Sequence, residues 1–248
     1  MTETNGRLVE GVVANLPMFK QASRAHLADV TRSARAVHAP RGAVICRRND
    51  PMPGLYAVAF GLVKLALGEE PGEEKVLRLV GPGETFGEAV AFLERPCPVN
   101  AIALTDTLLV MIPSGPLFAL IERDARFARS LIASLSQRMQ ALVADVEAAA
   151  LRTGLQRVAA YLESLTEPGP SLGRANVRLP ATKTVIAARL GVTKETFSRL
   201  LRELTEMGLV QVTRREITLI DRARLAAVAR GTAQQHAVQG MAGGRTAD

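Results

Sequence analysis

The sequence predicts an α+β chain: an N-terminal antiparallel β-roll, one long dimerisation helix, and a C-terminal winged helix-turn-helix. Three observations carry this. Short apolar runs broken by turn residues fill the first half, a single heptad stripe follows, and "KTVIAARL" meets "VTKETFSRLLREL" across one glycine near the other end. The segments are residues 1–123 for a sensing roll with an N-terminal helix, 124–151 for the dimerisation helix and 152–230 for the winged module. A Gly/Ala/Gln-rich tail over 231–248 is expected to be disordered.

Residues 16–36 read as helix, with Leu27 and Val30 on one side and Pro17 near the start. From Val37 the texture changes. "GAVIC", "GLYAVAFGLVKLAL", "EKVLRLVG" and "NAIALTDTLLVMI" alternate with turns at Gly42, Asn49-Asp50, Gly61, Glu70-Pro71-Gly72 and Gly81-Pro82-Gly83. Strands this short and closely spaced predict an antiparallel roll over about 37–112 rather than a βαβ sheet. After Pro113 the pattern turns helical with "GPLFALIER". In the long segment that follows, Ile132, Leu135, Met139, Leu142, Val146 and Ala149 recur at spacings of three and four. A seam this narrow needs a partner. Packing back onto the roll is one solution; a parallel seam between two identical subunits is favoured, because the other faces carry Arg138, Asp145 and Glu147. "GLQRVAAYLESLTE" is a further helix, closed by the linker-like "PGPSLG". Two helices and a two-stranded hairpin, "LVQVTRREITLID", complete the winged module.

Charge separates along the chain. Residues 1–150 carry 16 Lys and Arg against 16 Asp and Glu, whereas residues 151–230 carry 14 against 7, so the net +7 lies in the winged module. Such segregation points to a polyanion partner for that module alone. Cys46 and Cys97 are the only cysteines and have no close pairing in sequence. A disulfide framework, a CxxC metal site and a four-thiolate iron–sulfur cluster are therefore not expected. "MTETNGRLVEGVV" lacks the marks of a signal peptide and no apolar run approaches ~20 residues, so a cytoplasmic protein without membrane contact is expected.

The helix-turn-helix needs a small residue where its helices cross and a left-handed residue at its turn; Ala187 and Gly191 supply them four residues apart. Val192, Phe197, Leu190, Leu200 and Leu201 are predicted to face inward, and Thr193 to cap the second helix. Glu195, Ser198 and Arg199 then share one outer face, flanked by Thr193, Lys194 and Arg202. On a major groove, a carboxylate can accept from cytosine N4, a guanidinium can fork onto guanine O6 and N7, and a hydroxyl can reach a neighbouring base or phosphate. The plain alternative is an i,i+4 Glu–Arg surface pair worth only about 0.2–0.5 kcal/mol.

With these motifs the chain resembles the Crp/Fnr superfamily of bacterial transcription regulators over residues 16–225. The matching pieces are "LPMFKQ", "RGAVICRRND" with Gly42, Ile45 and the Asn49-Asp50 turn, "GPGETFGEAVAFL", the long helix and "VTKETFSRLLREL". The stretch from Glu195 through Ser198 to Arg199 is similar to the E-x-x-S-R signature of the Fnr branch. The resemblance implies a homodimer on double-stranded DNA at a TTGAT-N4-ATCAA-like site, with RNA polymerase as a further partner.

Cyclic-nucleotide-binding members of that superfamily follow a Gly-Glu pair, about ten residues later, with Arg-Ser or Arg-Thr to grip the phosphate. Gly87-Glu88 is present, but Pro98 and Val99 stand where the phosphate ligands belong and Arg95 is out of register, so cyclic AMP is not expected. Without cluster cysteines, the resemblance is closest to the Dnr/Nnr subgroup, through "FGEAVAFLERP" and "LSQRMQALVADVEAAALRTGLQRVAAYL". It implies a response to nitric oxide, haem as cofactor and control of denitrification genes. Haem is expected in an apolar pocket between the roll and the long helix, with His26 or His38 as axial ligand; Met18, Met52 and Cys46 are alternatives, and His236 lies in the tail. The acidic turn of Glu69, Glu70, Glu73 and Glu74 reads as a solvated loop. A regulator answering another small molecule, or redox change at Cys46 and Cys97, is the alternative. A cupin-like enzyme would need clustered His and carboxylate ligands where the roll offers only His38, and no catalytic residue is expected.

Overall fold

The computed structural model describes residues 2–20, 22–68, 74–166 and 173–231, with side chains described from residue 6. The expected tail beyond residue 231 with His236, the linker at 167–172, and Glu69, Glu70 and Glu73 lie outside these residues. Two units, 1–142 and 143–248, divide the chain.

The first unit begins with α1 (Thr2–Asn15), a 3-10 turn (Pro17–Phe19) and α2 (Arg24–Ser33). A single helix over 16–36 is thus corrected. Leu16, before Pro17, is extended at ψ 136°, as the proline ring requires. Ser23 restarts the helix by accepting from the His26 N–H at 3.2 Å, and Arg35 already belongs to a strand. α1 was not anticipated. Its Val9 and Val13, with Leu16 beyond it, follow the i, i+4, i+7 rule and are buried with Phe19, Val30, Ile112 and Phe127.

The strands are β1 (Arg35–Ala39), β2 (Val44–Cys46), β3 (Gly54–Phe60), β4 (Val63–Leu67), β5 (Lys75–Val80), β6 (Thr85–Phe86), β7 (Asn100–Ala103) and β8 (Thr107–Pro113). They form two antiparallel sheets, β1-β8-β3-β6 and β2-β7-β4-β5. Gly61 is the hinge between them. It splits the run "GLYAVAFGLVKLAL" into strands of different sheets at φ 94°, where a Cβ would sit 2.6 Å from the Asp106 carbonyl oxygen. Val58, Val63, Val80 and Leu109 fill one core of the roll without exposure.

Three helices complete the unit: α3 (Glu88–Leu93), α4 (Ser114–Arg123) and α5 (Ala125–Leu151), the last running on into the second unit. Asp124 starts α5. Its Oδ1 accepts from the N–H groups of Arg126 at 2.9 Å and Phe127 at 3.2 Å, while Oδ2 lies 2.8 Å from His26 Nδ1 on α2. The His26 hydrogen bond, followed by that of the Phe127 N–H, holds the Asp124 carboxyl below the usual carboxylate range. Phe127 stacks on Phe19 with centroids 5.1 Å apart, and Leu131 one turn later is also buried.

Beyond Leu131 the character of α5 changes. Ile132, Met139, Leu142 and Val146 are each more than 60% exposed, and Val143 joins them. Packing of this stripe onto the roll is therefore not what the chain does. Burying each such side chain stabilises by about 1.5–3 kcal/mol, so a second copy of α5 is the economical cover.

The second unit holds α6 (Gly154–Ser164), β9 (Ala175–Arg178), α7 (Lys183–Leu190), α8 (Lys194–Glu206), β10 (Val210–Thr213), β11 (Glu216–Leu219) and α9 (Arg222–Arg230). The expected two-stranded hairpin is corrected to a three-stranded antiparallel sheet, β10-β11-β9, because Val177 pairs with Ile217 across a long sequence gap. α9, also unanticipated, packs Leu225 and Val228 inward. Among the described residues, no helix is long and apolar enough to cross a membrane.

Met139→Asp is expected to put a charge on each side of the α5 seam and halve the mass seen by sedimentation equilibrium. An unchanged dimer mass would move the interface off this stripe.

Candidate functional site

The reading face is built from local signals. Thr182 caps α7 by accepting from the Val185 N–H at 3.4 Å, and Gly191 at φ 68° ends it, after which the Val192 N–H bonds the Ala187 carbonyl at 3.0 Å. Ala187 is buried at the helix crossing. Thr193 then caps α8, its Oγ1 accepting from the Thr196 N–H at 3.1 Å. Phe197, Leu200, Leu201 and Leu204 form the buried face at the i, i+3, i+4, i+7 positions; Leu190 and Val192 are only half-buried, at its edge.

The opposite face is polar. Thr193, Lys194, Glu195, Ser198, Arg199 and Arg202 are all exposed, so the six residues named from sequence come to one side of one element. No ion pair joins Glu195 to Arg199 among the described residues, which leaves both heads available to an outside partner. Sequence reasoning missed Arg157 on α6. It donates from Nε to the Leu190 carbonyl at 2.9 Å and from its guanidinium to the Arg152 carbonyl at 2.7 Å, securing the last turn of α7.

A second site lies in the roll. Gly87, at φ 88°, turns the chain from β6 into α3, and Glu88 follows with only 6% exposure. Its Oε2 pairs with Arg138 on α5, and the same guanidinium donates to the Thr85 carbonyl at 3.0 Å and hydroxyl at 2.7 Å. Arg138 is therefore not the idle surface charge that its helical position suggested. Glu88 Oε1 has no hydrogen-bond partner. The residue Glu88 borders a cavity of about 230 Å³ lined also by Leu65, Phe86, Val90, Pro98, Val99 and Leu142. Arg78 reaches the same wall, where it is held by Glu84 at 2.7 Å and by the Thr85 carbonyl at 3.1 Å.

Cys97, another residue of that wall, meets Cys46 sulfur to sulfur, which corrects the expectation of unpaired thiols. The cause is tertiary. β2 pairs with β7, and the strand-like bonds between Asn49 and Cys97 and between Cys97 and Asp50 bring together residues 51 apart. The sequence held no cue to this.

The two histidines proposed from sequence separate. His26, oriented by Asp124, lines a different cavity of about 310 Å³ with Asp29, Val30, Leu120, Arg32 and Arg123. His38 is exposed on β1 and borders neither cavity, and the cavity beside α5 contains no histidine. Met18 is buried in the core under α1, and Glu74 is not solvated but paired with Lys64 Nζ at 2.6 Å. Among the described residues, no group of three or more His, Cys, Asp or Glu gathers as a metal site would need.

Known proteins match both units. The family model of the cyclic nucleotide-binding domain covers residues 36–124, and that of the Crp-like helix-turn-helix domain covers residues 156–228. The cyclic AMP receptor protein of Thermus thermophilus is 32% identical over 194 residues, which are 78% of this chain and 88% of the relative. The CRP-like cAMP-activated global transcriptional regulator of Mycobacterium tuberculosis is 25% identical over 90% of this chain and all of its own. A CRP/FNR-family transcriptional regulator, also from Thermus thermophilus, aligns with a TM-score of 0.63 at 30% identity, covering 79% of this chain and 98% of that one. FixK2 of Bradyrhizobium japonicum shares the fold at a TM-score of 0.69 and 23% identity, over 79% and 96% of the two chains.

Removing the partner of a buried carboxylate is costly, though Arg138 keeps some solvent contact. Arg138→Ala is expected to destabilise the first unit by roughly 2–3 kcal/mol in urea unfolding, and adding Glu88→Gln to recover part of that loss. Equal stability of Arg138→Ala and wild type would make the bridge dispensable.

Proposed function

Because the chain belongs to the Crp/Fnr family of DNA-binding transcription regulators, we propose that it binds a TTGAT-N4-ATCAA-like site as a homodimer and alters that grip when an effector fills the roll. The observation that carries the DNA half is the exposed face of α8, where Glu195 and Arg199 stand a turn apart without pairing. Glu195 accepts from cytosine N4 and Arg199 forks onto guanine O6 and N7, so the two read both partners of one G·C pair. Ser198 contacts the neighbouring base or phosphate, while Lys194, Thr193 and Arg202 hold the backbone. Two α8 helices one helical turn apart match the half-sites, and RNA polymerase is the partner through which occupancy changes transcription.

The effector half rests on the cavity beside α5. Leu142 lines it, and Arg138 binds α5 to Glu88 at its wall, so a molecule entering there acts on the helix that carries the dimer seam. Such an effector works only through different affinities for two arrangements of that helix.

A second reading is a response to nitric oxide through haem, controlling denitrification genes, and His26 is the observation in its favour. Asp124 holds Nδ1 and would leave Nε2 to bind an iron, beside a cavity where Arg123 would be near a propionate and Arg32 is paired with Asp29. In that site His26 would hold the iron of a haem, which would supply a centre able to bind nitric oxide. A hemin titration should then give a saturable Soret band in wild type that His26→Ala loses and His38→Ala keeps; no band in wild type would remove haem.

The DNA reading predicts that Arg199→Ala lowers affinity for the TTGAT-N4-ATCAA duplex by about 1–3 kcal/mol in fluorescence anisotropy and leaves weak, salt-sensitive binding to random DNA. Equal losses on both duplexes would refute the assignment.

A further inference from the structure

We propose that Arg157 is the positioning residue that sets the spacing between the two DNA half-sites the protein accepts. This rests on reading the chain as a homodimer on a two-fold site and names what fixes its geometry. The need for such a residue comes from a break in the chain. α5 ends at Leu151 and α6 starts at Gly154, so Arg152 and Thr153 join them. Thr153 is extended at ψ 162°, and backbone dihedrals by themselves leave the angle between the two helices soft. The last part of the seam, with Val143 and Val146, lies in the same unit as the winged module, so that angle is a property of one unit. Beyond the break the packing is close. A Cβ at Gly154 would lie 3.2 Å from Leu200 Cδ1, which places the start of α6 directly against α8. Turning α6 therefore turns the reading helix with it.

Arg157, half-buried on α6, spans the break. Its guanidinium reaches back to the Arg152 carbonyl at 2.7 Å, and its Nε donates to the Leu190 carbonyl at the end of α7 at 2.9 Å. Both acceptors lie at helix C-termini, where carbonyls lack an intrahelical donor and carry partial negative charge. A planar cation bonded to both at once fixes direction as well as distance. Arg189 of α7 also faces Asp145 of α5, but at 3.8 Å and with the carboxylate side chain 60% exposed that pair adds little. In a symmetric dimer the angle held by Arg157 occurs twice, so it sets the separation and relative rotation of the two α8 helices. One base pair more or fewer in the spacer shifts a half-site by about 3.4 Å and turns it by roughly 34°. A rigid pair of reading helices discriminates between such spacers. A loosened pair meets its second half-site at lower effective concentration and discriminates less.

Fluorescence anisotropy of the full chain at one fixed salt concentration tests this, on TTGAT-N3-ATCAA, TTGAT-N4-ATCAA and TTGAT-N5-ATCAA duplexes and on one with a single half-site scrambled. Arg157→Met removes both donors and keeps most of the side chain's bulk. Wild type is expected to favour one spacer by about tenfold or more and the variant by about threefold or less. Affinity for the single half-site is expected to stay within about twofold of wild type, because α8 itself is untouched. Damage to the fold would instead lower binding to every duplex together. Arg157→Lys keeps the charge without the two spaced donors, and it is expected to relax the preference likewise where Arg157→Met does not fold. An unchanged spacer preference in the folded variant, a wild type indifferent to spacer, or equal losses on all duplexes including the single half-site would each overturn the inference. Wild type that binds TTGAT-bearing and fully scrambled duplexes alike refutes the DNA reading and the spacing role with it, whereas specific binding with the variant's preference unchanged refutes Arg157 alone.

Discussion

One guanidinium ties the sensing roll to the long helix. Arg138 spans the Glu88 carboxylate and both oxygens of Thr85, so β6, α3 and α5 share one polar junction, which Arg78 also joins at the Thr85 carbonyl. Charge-assisted bonds of this kind are directional and costly to leave half-made. The position of α5 on the roll is therefore tied to the state of Glu88, a residue that also lines the cavity.

The two ends of the molecule use polar groups in opposite ways. Gly191 closes α7 and Thr193 caps the start of α8, both locally, and the charged heads of α8 are left in water. Such a surface costs little to maintain and gains its interactions only when bases or phosphates arrive. At the Arg138 junction Glu88 and Thr85 are buried and bonded to one guanidinium, so a change of pairing there alters the energy of the helix that carries it. The first arrangement suits recognition and the second suits a switch.

Legibility in the sequence followed the range of the interactions. The helix-turn-helix was readable because its determinants lie close together between Ala187 and Leu201: Thr193, Gly191, Ala187 and the spacing of Phe197, Leu200 and Leu201. The α5 stripe was readable for the same reason, and the chain leaves it exposed. β9 was missed because it is four residues long and exists only through its pairing with β11, far along the chain. The contact of Cys46 with Cys97 and the role of Arg138 depend on sheet topology, which has no local signature. α1 has a local signature in Val9, Val13 and Leu16, but polar residues around that stripe mask it.

Asp124 and Arg138 together give α5 a fixed azimuth. One caps its first turn and is gripped by His26; the other, fourteen residues on, is locked to the roll, and that interval is close to four whole turns. The helix is keyed at two points like a splined shaft, so the direction of its apolar stripe is set by residue count rather than by composition. One residue inserted between the keys would swing everything downstream by about 100°. Changes of length in this stretch are compatible with the same assembly only in steps that restore the phase, which makes the interval between Asp124 and Arg138 a ruler for the whole regulator.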